Sequence, residues 1–489
     1  MEKQVAVVGA GISGLLACNT IGGVWTKTIE TTKLQSPKAF YQFSDFPWPS
    51  SVTEDHPNQN QVLEYVQSYA RHFDLIRHIK FNTKVCGIEY EGPSQDKMQS
   101  WSLWGGTGEP FSSERKWKVI VEEKQSLSTE TYLVDFVILC IGRFSDVPNI
   151  PEFTPNKGPE AFHGKVIHSM EYANMDYESA AKFVTGKQVT VVGSQKFALD
   201  IAMECSNANG IENPCTLLYR QEHWNIPDLF PWGVPLAFLY FNRFSELLVH
   251  KPGEGFLLSL LATLLSPLRW EFSKFVETDA NNKLGLYKYG MVPKHTFLQD
   301  ISSCVIAIVP EKFYDRVQEG SIILKKSPSY FGFCKEGIWL KGKYFSPLKT
   351  DLVILATRFR GEKKLKDIFV SPTFQDYMMG PPEAILPLYR HCINGRIPQL
   401  AVIGFSESIS NLYTSEVRCK WVTELLGGTF KVPSIKEMEK DVKKWDEYAK
   451  RYGGEYYRRS CINALHVWYN DQLCKDMGWN PKEEEGTSC

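Results

Sequence analysis

Two glycine-rich turns, each directly after a short apolar strand, constrain this chain more than any other feature. The first strand, Val5–Val8, leads into residues 9–14 with the spacing G-x-G-x-x-G. The second strand, Val189–Val192, leads into residues 193–198, where only the first glycine is present. In such a turn the glycines allow a tight bend and a close backbone approach to a pyrophosphate, which binds at the N-terminus of the next helix. The chain is therefore predicted to contain two dinucleotide-binding domains.

Strand-like and helix-like segments alternate along the chain, an order typical of α/β domains with parallel sheets. The length of 489 residues exceeds what one hydrophobic core usually supports, so more than one domain is expected. Residues 351–357 (DLVILAT) are predicted to form the strand that returns to the first domain. We therefore predict two Rossmann-like domains, with residues 151–345 inserted into a discontinuous first domain made of residues 1–150 and 346–489.

The charge balance, the cysteines and the longest apolar run exclude several function classes. Lysine and arginine number 55 against 56 acidic residues, which gives no indication of a nucleic-acid partner. The cysteines form no C-x-x-C pair, so neither a zinc ribbon nor a dithiol centre is indicated, and a reduced, cytoplasmic compartment is expected. Residues 256–265 are about half as long as a membrane span, so we predict a buried helix there and no transmembrane segment. A membrane-surface anchor is the alternative.

A third pattern lies between the two turns. Phe162, Gly164, His168 and Tyr172 follow the spacing F-x-G-x-x-x-H-x-x-x-Y. A histidine can titrate or donate a hydrogen bond near neutral pH, and a glycine suits a crowded backbone. With this motif and its two glycine turns, the chain resembles the flavin-containing monooxygenases, the plant branch in particular.

The resemblance extends through residues 31–37 (TTKLQSP) and 43–49 (FSDFPWP) and implies a defined chemistry. In that family NADPH reduces FAD, the flavin adds O2, and the C4a-hydroperoxyflavin gives one oxygen atom to a small nucleophilic molecule. Tyr172 implies a nitrogen- or sulfur-containing substrate, because the related Baeyer–Villiger monooxygenases have tryptophan at that position. His168 is predicted to act at the domain junction, as a catalytic residue, with direct proton transfer as the lesser option.

Two other functions remain open. The chain could be a catalytically impaired isoform of the same family, or a monooxygenase of the Baeyer–Villiger type. A flavin disulfide reductase fits less well, because the sequence shows no paired cysteines.

The resemblance assigns FAD to two loops, whose predicted contacts are Gly9, Ala10, Gly11, Ile12, Ser13, Gly14, Gly22, Gly23, Val24 and Trp25. In the family a helix, a second strand and an acidic residue that binds the ribose separate these loops. Here only residues 15–21 lie between them, too few for a regular helix and a strand. Either the second strand and its acid are missing, as after a skipped exon, or residues 24–30 supply the strand and Glu30 the acid.

Two asparagines follow the region that lines the flavin pocket in the family. The resemblance implies that one asparagine there bonds near the reactive edge of the flavin, and Asn58 or Asn60 could match. Asparagine is equally favoured as a helix cap. We predict both as catalytic candidates, and the choice between the two roles stays open.

The second domain is assigned NADPH, with predicted contacts at Gly193, Ser194, Gln195, Lys196, Phe197, Ala198 and Arg220. Gln195 replaces the second glycine and crowds the backbone where phosphates approach. Arg220 ends the second strand of this domain, where a cation suits a ribose 2′-phosphate, so NADPH is preferred to NADH. An ordinary surface charge is the alternative for Arg220. Arg358 stands where the family has a hinge glycine.

Overall fold

The computed structural model of the chain describes residues 3–9, 11, 13–14, 23–327, 331–340, 347–380 and 386–481. Within these ranges the chain forms two parallel and two small antiparallel sheets. The strands are β1 Val5–Val8, β2 Thr83–Glu91, β3 Lys116–Glu123, β4 Thr129–Val134, β5 Phe136–Leu139, β6 Lys165–His168, β7 Val189–Val192, β8 Cys215–Tyr219, β9 Ile322–Lys326, β10 Phe331–Cys334, β11 Gly337–Leu340, β12 Leu348–Lys349, β13 Leu352–Leu355 and β14 Leu400–Val402.

Several helices begin with a capping box. In this motif, the side chains of the N-cap residue and of the residue three positions later accept hydrogen bonds from free backbone N–H groups. Asn58 with Gln61 begins α1, and Ser434 with Glu437 begins α15. The helices are α1 Gln59–His72, α2 Gln95–Gln99, α3 Ser169–Tyr172, α4 Tyr177–Val184, α5 Lys196–Asn209, α6 Leu236–Tyr240, α7 Arg243–Leu247, α8 Phe256–Leu284, α9 Leu286–Tyr289, α10 Phe297–Ser302, α11 Phe313–Glu319, α12 Gly361–Asp367, α13 Pro372–Met379, α14 Asn411–Gly427, α15 Ile435–Gly453 and α16 His466–Asp476.

The first parallel sheet joins distant parts of the chain. Its strand order is β1-β5-β14, with Val5 opposite Phe136 and Leu400 opposite Val137. Helices α14, α15 and α16 belong to the same apolar core through Trp421, Trp445 and Tyr469. A sheet built from the start and the end of the chain confirms the predicted discontinuous domain.

The second parallel sheet has the order β6-β13-β7-β8-β9, and its middle strand, β7, leads into the second glycine turn. It includes β13, which lies between β6 and β7, so the prediction that residues 351–357 return to the first domain is wrong. All four residues of β13 are buried and apolar, and such a strand fits the centre of either sheet, so its sequence does not reveal its neighbours. The strand that returns is β14. The domain boundaries themselves stay predictions.

The outer edge of β1 has no strand neighbour in the described part of the chain. β1 pairs with β5 alone. Val5 is 40% exposed, whereas β7, the matching strand of the second sheet, is buried along its whole length. This exposure of β1 is expected if the strand that normally covers its outer edge is missing.

Residues 24–30 do not replace that neighbour. Gly23–Lys27 forms a 3-10 helix, and Glu30 is exposed in a turn, so the alternative in which this segment supplies the second strand and its acid is wrong. The hydroxyls of Thr26 and Thr28 donate to the carbonyls of Gly23 and Val24, and such local bonds compete with strand pairing.

The first half of α8 is exposed, against the prediction of a buried helix at residues 256–265. Phe256, Leu257 and Leu264 are 80%, 78% and 68% exposed, and the buried positions lie mainly in the second half of the helix. Eight of the ten residues in this run are apolar, so its composition does not show which face packs. No helix in the described ranges is both long and apolar enough to cross a membrane.

One disulfide joins Cys304, just after α10, to Cys461, just before α16. The spacing of the cysteines does not predict this pair, because the two residues lie 157 positions apart. The other cysteines in the described ranges form no disulfide.

Candidate cofactor sites and the domain junction

The first glycine turn packs too tightly for side chains at two of its positions. Gly9 has φ of +114°, and a Cβ added there would lie 2.3 Å from the carbonyl oxygen of Cys140. A Cβ on Gly14 would lie 2.3 Å from the Cβ of Cys140, which follows β5. The thiol of Cys140 also donates to the carbonyl of Ser13. The turn therefore has the tight bend and the close packing that a pyrophosphate loop requires. The predicted Ala10 and Ile12 lie outside the described residues.

The second predicted flavin loop lies directly against the first. Gly23 has φ of +57°, and a Cβ added there would lie 2.7 Å from the Cα of Gly11. Val24 and Trp25 follow in the 3-10 helix, and the indole Nε1 of Trp25 donates to the Tyr41 hydroxyl at 2.7 Å. Gly22 lies outside the described residues. The described parts of the two loops therefore meet, as one flavin site requires.

Asn58 and Asn60 differ in their surroundings. The side-chain oxygen of Asn58 accepts from the backbone N–H of Gln61 and caps α1. Asn60 is exposed in the first turn of α1. The contacts of Asn58 are those of a helix cap, and a catalytic role for either residue stays a prediction.

Gln59, between the two asparagines, is a further candidate site residue that the sequence motifs do not identify. Its side chain is buried, and its amide nitrogen donates to the carbonyl of Trp25. Its amide oxygen is buried without a hydrogen-bond partner among the described residues. No sequence signal marks Gln59, because its contact with the flavin loop arises only in the folded chain. Gln59 thus offers an acceptor beside Trp25.

A cavity of about 610 Å³ lies at the carboxyl edge of the second sheet. The glycine turn, the end of β8 and the segment after β13 line it, through Gly193, Ser194, Gln195, Arg220, Ala356, Thr357 and Arg358 among others. Ligands of open α/β sheets bind at this edge of the strands. Gly193 has φ of +149°, and a Cβ there would lie 2.6 Å from the carbonyl oxygen of Ala356.

The side chains around this turn suit an anionic ligand. The amide nitrogen of Gln195 is buried without a hydrogen-bond partner in the described ranges, at the N-terminal end of α5. Arg220 is exposed on the cavity wall and makes no ion pair with any described residue. Lys196 is paired with Asp200 at 2.5 Å, and Phe197 and Ala198 lie in the first turn of α5, with Ala198 in the core. The free amide donor and the free guanidinium fit a nucleotide phosphate.

His168 connects β6 to the crossing between the domains. Its Nδ1 accepts from the backbone N–H of Met170, and its Nε2 donates to the carbonyl oxygen of Arg358, each at 3.1 Å. Burial lowers the pKa of His168 despite the opposing effects of that carbonyl and of Glu171. The ring is therefore neutral with both nitrogens occupied, an arrangement that suits positioning better than proton transfer. Arg358 has φ of +72°, the conformation that a hinge glycine would adopt.

Tyr172, the last residue of the F-x-G-x-x-x-H-x-x-x-Y motif, takes part in contacts between α5 and residues 31–32. Its hydroxyl donates to Glu204 of α5 at 2.9 Å, and Glu204 also accepts from Thr31. Beside this pair, the Thr32 hydroxyl donates to Asp200 of α5 at 2.9 Å. Burial raises the pKa of both carboxyls. The nicotinamide-side helix α5 is therefore held to the segment that follows the flavin loop.

Replacing His168 by alanine is expected to slow NADPH oxidation, measured with excess FAD, by roughly tenfold to a hundredfold without unfolding the chain. The ring holds the crossing in place, and a displacement of about 1 Å between reacting groups can have an effect of that size. His163→Ala, at an exposed histidine of the same segment, is the matched control. Unchanged kinetics in His168→Ala would refute a role at the junction.

Replacing Tyr172 by phenylalanine is expected to reduce the free energy of unfolding by about 1–2 kcal/mol, because buried Glu204 loses one donor. Urea denaturation monitored by circular dichroism measures the change. Tyr177→Phe removes a hydroxyl from a tyrosine that is 45% exposed and should have little effect. Equal changes in the two variants would show that the Glu204 contact is not stabilising.

Comparisons with known proteins agree with this geometry. A family model described as flavin-binding monooxygenase-like matches residues 24–483. Probable flavin-containing monooxygenase 1 of Arabidopsis thaliana is 39% identical over 98% of this chain and 92% of its own length.

Two solved structures share the fold. The oxidized steroid monooxygenase bound to NADP has a TM-score of 0.63 at 17% identity and covers 98% of both chains. The S-allyl-L-cysteine S-oxygenase from Allium sativum has a TM-score of 0.59 at 15% identity, over 99% of this chain and 91% of that one. The family match, the plant relative and the fold lead to one conclusion: this chain belongs to the flavin-containing monooxygenase family.

Proposed function

We propose that this chain uses FAD and NADPH to insert one oxygen atom from O2 into a small nitrogen- or sulfur-containing molecule. One observation carries the proposal: the cavity that holds Gly193 and Arg220 extends to Thr357 and Arg358, at the crossing toward the flavin sheet. A nucleotide bound at Gly193 therefore lies beside Thr357 and Arg358, in the segment through which the chain leaves the second parallel sheet toward the flavin-binding domain.

Each group of residues has a separate binding role in the proposal. The turn at Gly193 and the Gln195 amide hold the pyrophosphate of NADPH, and Arg220 holds its 2′-phosphate. The turn at Gly9 and the loop at Gly23 hold the pyrophosphate and ring system of FAD. The bound flavin supplies the oxygen chemistry, and the protein supplies orientation and exclusion of water.

A nitrogen or sulfur substrate is favoured over a ketone by Tyr172, which stands where the Baeyer–Villiger enzymes have tryptophan. A structural neighbour from Allium sativum is named an S-oxygenase, which fits the same choice. A Baeyer–Villiger activity and an impaired isoform are the competing proposals. We also propose a cytoplasmic location, because eight of the ten cysteines in the described part of the chain form no disulfide; the Cys304–Cys461 disulfide is the observation that counts against it.

The test is NADPH-dependent oxygen uptake in the presence of excess FAD, with a tertiary amine, a thioether and a cyclic ketone as substrates. Mass spectrometry with ¹⁸O2 identifies the products. An N-oxide or a sulfoxide that carries one ¹⁸O atom is expected. An ester from the ketone alone would establish the Baeyer–Villiger alternative, and NADPH oxidation that yields only hydrogen peroxide would establish the impaired one.

A further inference from the structure

Two imidazoles and a carboxylate converge at the wall of the nicotinamide cavity. His223 follows β8 and lines the cavity, His295 precedes α10, and Asp300 lies within α10. Their side chains are 6%, 9% and 0% exposed, and their ligand-type atoms all lie within 4.8 Å of one another.

The contact between His295 and Asp300 is close, but it is not a well-directed hydrogen bond. Nε2 of His295 lies 2.8 Å from Oδ1 of Asp300, yet this nitrogen is buried and makes no hydrogen bond with the described residues. A short distance without hydrogen-bond direction means that the nitrogen is not aimed at the oxygen. A buried nitrogen left in this way is costly unless a further group satisfies it.

Contacts around the three side chains already orient them. The second oxygen of Asp300 accepts from the backbone N–H of Trp224 at 2.6 Å, which leaves Oδ1 toward the imidazoles. Nε2 of His223 lies 3.2 Å from the amide nitrogen of Gln221, and a half-turn of that amide presents its oxygen to an Nε2–H. Nδ1 of His223 is hydrogen-bonded to Asp300 Oδ1 at 3.1 Å; with the amide turned and the proton on Nε2, Nδ1 would offer a lone pair to a cation instead. Outer contacts of this kind fix the tautomer and orientation of metal ligands.

We propose that His223, His295 and Asp300 bind one divalent transition-metal ion, and that the ion is Zn²⁺. Two imidazole nitrogens and one carboxylate oxygen are a common zinc ligand set, with a fourth position left for water. Tetrahedral zinc requires ligand atoms about 3.3 Å apart. The two nitrogen distances to Asp300 Oδ1 are 3.1 and 2.8 Å, so zinc binding requires the two rings to move outward by a few tenths of an ångström. The ion ties α10 to the segment after β8 and so shapes the nicotinamide cavity.

The test is a calorimetric titration of the chelator-treated full-length chain with ZnCl2. About one equivalent of Zn²⁺ is expected, and Co²⁺ should give the visible absorption of a four-coordinate site. His295→Gln removes one ligand and is expected to weaken zinc binding at least about a hundredfold. His78→Ala, at an exposed histidine outside the cluster, is the matched control and should bind zinc like the unaltered chain.

Thermal unfolding gives a second readout that does not depend on turnover. Zinc should raise the Tm of the unaltered chain and of His78→Ala but not that of His295→Gln, with circular dichroism as the check on folding. A folded, unaltered chain that takes up neither Zn²⁺ nor Co²⁺ would overturn the proposal, and so would equal binding by His295→Gln. The cluster would then be a hydrogen-bonded group only. The oxygenase proposal is unaffected by either result.

Discussion

The purified chain, without any insertion, is expected to retain far less than one FAD per polypeptide. The strand beside the first strand of a dinucleotide fold normally ends in an acid that binds the ribose. Here β1 has no such neighbour among the described residues, and only residues 15–21 separate Gly14 from Gly22. The loss of one charge-assisted contact, worth about 1.5–3 kcal/mol, weakens binding roughly tenfold to a hundredfold. Fluorimetric titration with FAD measures this loss.

Inserting a helix, a strand and a terminal acid after Asn19 is expected to raise FAD content toward one per chain. The insertion should also increase the soluble fraction, because an open sheet edge promotes aggregation. A glycine- and serine-rich insertion of equal length is the first control, and the designed insertion with its acid changed to alanine is the second. FAD recovery with the flexible insertion would show that chain length, and not the strand, was limiting.

Replacing Arg220 by alanine is expected to narrow the preference for NADPH over NADH by roughly tenfold to a hundredfold, because one charge-assisted contact to the 2′-phosphate is lost. Arg220 is exposed on the cavity wall, without an ion-pair partner in the described ranges, so the change should leave the fold and the affinity for NADH intact. Fluorescence titration with each nucleotide measures the effect without need of flavin.

Arg77→Ala is the control for that experiment, since Arg77 is an exposed arginine that does not line the cavity. Equal affinity of the unaltered chain for NADPH and NADH would refute the assignment of Arg220 to the 2′-phosphate.

Local chemistry explains which parts of the fold could be predicted from the sequence. The turns at Gly9 and Gly193 each follow a strand of a parallel sheet, because their glycines meet steric demands that act within a few residues. The helix after Asn58 begins where its capping residues predict. The discontinuous first domain follows from the same order of elements and is confirmed by the β1-β5-β14 sheet.

Contacts between distant residues explain what could not be predicted. The neighbours of β13 depend on tertiary pairing and not on its apolar composition. The pairing of Cys304 with Cys461 and the approach of His223 to His295 join separate segments. Gln59 resembles any other first residue of a helix until the flavin loop packs on it. The exposure of Phe256 depends on what lies around α8, which the mainly apolar composition of residues 256–265 does not reveal.

The NADPH-binding domain is expected to be complete, whereas the FAD-binding domain is expected to lack one strand. Titration of one purified preparation of the chain with both cofactors tests this difference most directly. NADPH is predicted to bind with the affinity of the chain that carries the designed insertion, while FAD binds far below one equivalent. Stoichiometric FAD in the chain without the insertion, together with normal turnover, would contradict the missing strand.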